Sequence, residues 1–230
     1  MGETIEFSRP DGKRAPGYLA RPPGAEFAPG VVMLEEWWGL DDRVKATADR
    51  LASHGFAVLV PDLFRGRSAA TGDEANHLMQ GLDFNDAATE DVPGAGNYLR
   101  DLGAKRVGLI GFCMGGALAM LGVMNRANVD AASIWYGYPP AEAGDPATIS
   151  IPVQGHFATE DGFFAIGGVD AIENKLKATG VQYEFHRYDA KHGFYNTGKP
   201  GEGGLGHYDP EHAETAWRRT VEFFDRTLRA

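Results

Sequence analysis

Short apolar runs alternate with longer amphipathic stretches along most of the chain. Residues 3–8 (ETIEFS) alternate polar and apolar positions, the period of a half-buried strand. Pro10-Asp11-Gly12 is a turn signal, and residues 13–20 predict the second strand of a hairpin. The proline-rich residues 21–29 read as a loop. Residues 31–34 and 107–110 read as buried strands, and 56–60, 130–136, 151–157 and 182–188 read as further strands, most of them closed by Gly, Pro or Asp. Helical spacing fills the gaps. It predicts helices over 41–54, with apolar Val44, Ala48 and Leu51 and Gly55 as C-cap, over 73–82, and over 85–102 despite Pro93. Further helices are predicted from Ala117 onward, over 168–179, and over 209–228 with an Asp209-Pro210 cap. Strands alternating with helices after one hairpin define a single α/β domain over residues 1–230. Its sheet is mostly parallel with an antiparallel N-terminal edge, and helices cover both faces.

Composition narrows this little. A length of 230 residues and 43% hydrophobic content suit one domain with a large core. The single cysteine excludes an intramolecular disulfide and fits a reducing compartment. No basic and apolar leader opens the sequence, and no apolar run reaches the ~18 residues of a membrane helix. A net charge of −10 argues against nucleic-acid and anionic-membrane partners. The expectation is a cytoplasmic, soluble protein, taken to be a monomer.

The chemistry centres on residues 106–117, RVGLIGFCMGGA. An apolar strand enters a glycine-flanked turn and leaves as a run of helix formers. This is the layout of the G-x-S-x-G nucleophile elbow, with Cys113 in the serine position. The flanking glycines let strand and helix approach closely. Met114 then begins a helix, and its N–H is placed to hold an oxyanion. α/β-Hydrolases deliver nucleophile, acid and histidine in that chain order from strand ends. Asp161 follows the strand at 151–157, and His192 follows the last strand, in Ala190-Lys191-His192-Gly193-Phe194. Cys113, His192 and Asp161 are therefore the expected nucleophile, base and orienting acid. After the strand at 31–34 come Glu35-Glu36-Trp37-Trp38-Gly39. Glu36 is expected close to Cys113, where it could accept the thiol proton, and Glu35 is expected to be a surface acid. Trp37 is expected to supply the second oxyanion N–H. Trp38, Tyr136 and Phe194 are expected to wall an apolar pocket.

The chain resembles the dienelactone hydrolase family. The resemblance rests on Glu36-Trp37-Trp38-Gly39, Pro61-Asp62-Leu63, Gly108-Leu109-Ile110-Gly111-Phe112-Cys113-Met114-Gly115-Gly116, Asp161 and His192-Gly193-Phe194. It implies an α/β-hydrolase fold and a Cys113-His192-Asp161 triad. It also implies that Glu36 contacts the resting thiol and that the Trp37 and Met114 N–H groups form the oxyanion hole. The family's reaction is cofactor-free hydrolysis of a dienelactone to maleylacetate. The family holds the substrate carboxylate with two arginines, and this chain departs there. Asn196 stands four residues past the histidine in place of one, and no arginine occurs between Arg67 and Arg100 to supply the other. Arg65, Arg67, Lys191 and Lys199 are the basic residues in or beside the loops expected near the site. Asn196 therefore joins the substrate-binding residues as a neutral amide, and tolerance of neutral lactones or aryl esters is expected.

Three functions are open on this reading. They are a lactone or small-ester hydrolase, a thioesterase or acyltransferase with the same triad, and a catalytically silent protein whose Cys113 binds or senses. Gly193-x4-Gly198-Lys199 is not a phosphate loop, because Pro200 stands where Ser or Thr is needed. His207 and His212 have no zinc-site spacing.

Overall fold

The computed structural model describes residues 2–24, 28–198 and 207–229. Eight strands form one sheet: β1 (Glu3–Ser8), β2 (Arg14–Ala20), β3 (Gly30–Leu34), β4 (Ala57–Pro61), β5 (Val107–Phe112), β6 (Ala131–Trp135), β7 (Val153–Ala158) and β8 (Tyr183–Tyr188). Their order is β1-β2-β4-β3-β5-β6-β7-β8. β1 and β2 pair antiparallel, as do β2 and β4, and every later pairing is parallel. The expected antiparallel N-terminal edge is present. β3, β4, β5, β6 and β7 are buried at every position, as strands covered on both faces must be.

The helices are α1 (Asp42–Ser53), α2 (Gly72–Gln80), α3 (Phe84–Asp86), α4 (Val92–Asp101), α5 (Met114–Met124), α6 (Ile166–Thr179) and α7 (Pro210–Leu228). Two apolar clusters, one on each face of the sheet, pack them down. Val92, Leu99, Leu118 and Leu176 belong to one, and Ala48, Leu51, Trp217 and Phe224 to the other. α5 is buried at all eleven positions and lacks a polar face, because it runs inward beneath the elbow.

The helix expected over 85–102 is interrupted. α3 passes through a π turn at Ala87–Asp91 before α4 begins. Pro93 sits in the first turn of α4. Proline has no N–H to donate and its ring crowds the carbonyl four residues back, so the wider turn relieves what a continuous α-helix would suffer there. Most of residues 198–206, with Lys199, lies outside the described residues.

Sheet register places the site. Leu34 of β3 pairs with Gly111 of β5, and Phe112 pairs with Trp135 of β6. Glu35-Glu36-Trp37, Cys113 and Tyr136 thus leave neighbouring strand ends. Ala158 of β7 pairs with Tyr188 of β8, so the segments carrying Asp161 and His192 leave together. Backbone bonds from Thr159 to the Tyr188 carbonyl (2.8 Å) and from Glu160 to the Ala190 carbonyl (3.0 Å) stitch them further. All these residues emerge at the carboxyl edge of the parallel strands, where open α/β sheets bind ligands.

Candidate active site

Cys113 occupies the turn between β5 and α5 with φ 54° and ψ −114°, a conformation that costs a non-glycine residue energy. Packing enforces it. A Cβ on Gly111 would lie 2.0 Å from the Gly115 carbonyl oxygen, and one on Gly115 would lie 2.5 Å from the carbonyl oxygens of Leu34 and Glu35. Only glycine at these two positions lets the helix start so close to the strands. The Cys113 N–H is fixed by the Trp135 carbonyl at 3.0 Å.

His192 Nε2 lies 3.1 Å from Cys113 Sγ, and its Nδ1 lies 2.8 Å from Asp161 Oδ2. Asp161 Oδ1 accepts the N–H groups of Phe163 (2.8 Å) and Phe164 (2.9 Å), so the carboxylate is held from one side while the imidazole takes the other. An Asp161 acceptor at Nδ1 selects the tautomer with its proton on Nδ1, leaving Nε2 free to take a proton from sulfur. The His192 and Asp161 side chains are almost wholly buried. Rings of Tyr136, Phe163 and Phe164 surround the imidazole at 5.0–5.6 Å. Glu160, the neighbouring acid, is exposed.

Burial pushes the Cys113 thiol well above the ordinary range, and the Glu36 charge pushes it further; the Met114 N–H, aimed at the sulfur, pulls it back. The resting sulfur is therefore a protonated thiol. Glu36 itself is raised by burial, opposed by His192 and Arg43. Its two oxygens face away from the simple thiol contact expected from sequence. Oε2 accepts Asn196 Nδ2 at 2.5 Å, and Oε1 accepts the Tyr136 hydroxyl at 3.3 Å. The sulfur's hydrogen bond goes to His192. Glu36 thus acts on Cys113 through its charge. Glu36→Gln is expected to lower the thiol pKa, speed iodoacetamide alkylation at neutral pH and move the pH–rate profile to lower pH. An unchanged alkylation profile would make Glu36 a bystander.

Glu35 is not the surface acid expected. It is fully buried, with Oε1 accepting the Leu63 N–H at 3.2 Å and Oε2 without a partner. Burial first, then the Asp62 charge, hold its carboxyl well above the usual range. The unfolded chain releases its carboxyl proton in the ordinary carboxylate range, while the folded chain keeps it to higher pH. Stability therefore falls as pH climbs from there through the folded value. Glu35→Gln is expected to flatten this loss, read as a smaller drop in Tm between pH 5 and pH 9.

The sulfur lies at the base of a narrow cleft lined by Glu36, Trp37, Trp38, Cys113, His192 and Asn196. A larger cavity of about 410 Å³ adjoins it, sharing Glu36, Trp38 and Asn196 and adding Tyr136, Arg43 and Arg50 among others. Trp38, Tyr136 and Asn196 line this space. Phe194 does not. It has no exposure and packs behind Tyr136 against Trp135 and Tyr188. Arg65 is turned away onto Asp91 at 2.8 Å, and Arg67 donates to the Phe64 carbonyl at 3.2 Å. Among the described residues, the cations that line the cavity are Arg43 and Arg50 of α1. Their spacing with Thr47 puts all three on one helical face, a signal present in the sequence but silent about what that face meets.

A cysteine–histidine–aspartate line at the sheet's carboxyl edge, with the sulfur on a glycine-flanked turn, defines an α/β-hydrolase-fold hydrolase. The chain belongs to the dienelactone hydrolase family, whose model matches residues 15–228. Protein usf of Aquifex pyrophilus is 32% identical over 238 residues, covering 99% of this chain and all of that protein. The solved structure m3DLH superposes with a TM-score of 0.81 at 25% identity, covering 99% of this chain and 98% of that one. A dienelactone hydrolase-like promiscuous phosphotriesterase from metagenomic libraries gives 0.82 at 22% identity, covering 99% and 98%, a likeness of fold.

Proposed function

We propose that this protein is a cysteine-dependent hydrolase of lactones or small esters, working through Cys113, His192 and Asp161. The 3.1 Å approach of His192 Nε2 to Cys113 Sγ carries the reading. As the thiol is neutral at rest, His192 takes its proton when the sulfur attacks the substrate carbonyl, and Asp161 stabilises the imidazolium. The N–H groups of Met114 and Trp37 hold the oxyanion, each such donor contributing roughly 10²–10³ in rate. His192 returns the proton to the leaving alkoxide. Water, deprotonated by the same imidazole, then cleaves the thioester and releases acid and free thiol.

The enzyme needs no cofactor for these steps, and we take it to act as a cytoplasmic monomer on small molecules rather than on nucleic acid or membranes. Hydrolysis of p-nitrophenyl acetate, before and after iodoacetamide, tests the reading. Turnover lost on alkylation supports it. Turnover indifferent to alkylation, or none at all, refutes it. Adding alcohol or thiol acceptors separates hydrolysis from acyl transfer by the products formed.

A further inference from the structure

The cavity beside the sulfur is walled on one side by α1. Two guanidinium groups at such a wall would ordinarily invite a carboxylate or phosphate. Here both are already occupied. Arg43 gives Nε and Nη2 to Asp41 Oδ2 at 2.8 and 2.6 Å, and Nη1 to Asn196 Oδ1 at 3.3 Å. Arg50 gives Nη2 to Glu214 Oε2 at 2.6 Å and Nη1 to the Tyr195 hydroxyl at 3.3 Å, with its guanidinium carbon 4.5 Å above the Trp217 ring. Asp42 and Glu36 also line the cavity, so among the described lining residues four carboxylates face two cations. Glu36 stands in the partition between cavity and cleft. Trp38 and Asn196 line both spaces with it, so a group reaching from the cavity to Cys113 would run among these three side chains.

We propose that this cavity selects uncharged substrate groups against anionic ones, and that Asp41 sets the preference by cancelling Arg43. The proposal rests on the hydrolase reading above and names its substrate class as neutral esters and lactones. An entering carboxylate would shed water, find no free guanidinium and meet the Glu36 charge. A neutral acyl group would lie against Trp38 and Tyr136 without those losses.

The measurement is kcat/KM for p-nitrophenyl butyrate against the mono-p-nitrophenyl ester of succinate, which has a similar length but ends in a carboxylate. The protein is expected to prefer the neutral ester by about tenfold or more, the effect of one charge-assisted contact at a partly exposed site. Asp41→Asn keeps the cap, since the Asp41 side chain also accepts the Arg43 and Val44 N–H groups and asparagine caps as well. It removes the charge that holds Arg43. The anionic ester is then expected to gain roughly tenfold relative to the neutral one, and the gain should shrink with added salt. A native preference for the succinate ester, or an unchanged ratio in Asp41→Asn, would overturn the proposal. Absence of turnover with both esters would count against the hydrolase reading instead. Calorimetric binding of the same two esters to the Cys113→Ala protein then decides the cavity's preference. Tighter neutral binding supports the proposal, and tighter anionic binding overturns it.

Discussion

Replacing Cys113 with alanine is expected to lower ester hydrolysis by about four orders of magnitude or more while leaving the protein folded. Among the described residues no other supplies an equivalent nucleophile to His192 Nε2, whose partner across 3.1 Å is the sulfur. Alanine keeps the Cβ, so the strained turn and the Trp135 carbonyl bond survive. Tm should therefore move by only a few degrees. Cys113→Ser should also be much weaker than the native protein. The less acidic hydroxyl would have to give its proton to the same imidazole in a buried site, beside the Glu36 charge, that already holds a thiol neutral. Native-like turnover in Cys113→Ala would remove the triad from the account.

The second large effect concerns the turn. Gly111→Ala would press a methyl group to within 2.0 Å of the Gly115 carbonyl oxygen, which is backbone and cannot swing aside. Either the strand or the first turn of α5 must shift. A cost of about 3–5 kcal/mol is expected, with a fall in Tm of roughly 10 °C or more for a domain of this size. Activity should fall beyond what unfolding explains, because sulfur and imidazole separate. Gly162→Ala is the control, since a Cβ there meets nothing within 4 Å. Equal stability of the two variants would show that the turn is not held by close packing.

The fold was legible because its buried strands are short apolar runs closed by turn residues, a pattern that survives without tertiary knowledge. The grouping of Cys113, Asp161 and His192 was legible for a related reason. Residues just past parallel strands must emerge at one edge, and the chain order narrowed the choice. What escaped depends on neighbours distant in sequence. Glu35 and Glu36 are adjacent, yet one is sealed beneath the Leu63 segment and the other faces the cleft. Phe194 follows the candidate histidine by two residues but turns into the core behind Tyr136. Arg43 and Arg50 look like any solvated helix face until α1 is laid against the cavity. The π turn before Pro93 reflects a local conflict whose remedy no helical periodicity encodes.

The most direct test is to catch the acyl group. The protein is mixed rapidly with p-nitrophenyl acetate, quenched in acid during turnover, digested, and the peptides weighed. A single acetyl group is expected on the peptide that contains Cys113, released by neutral hydroxylamine as a thioester, and accumulating only transiently. An acetyl group on a serine, or steady turnover with Cys113 never acylated, would contradict the account.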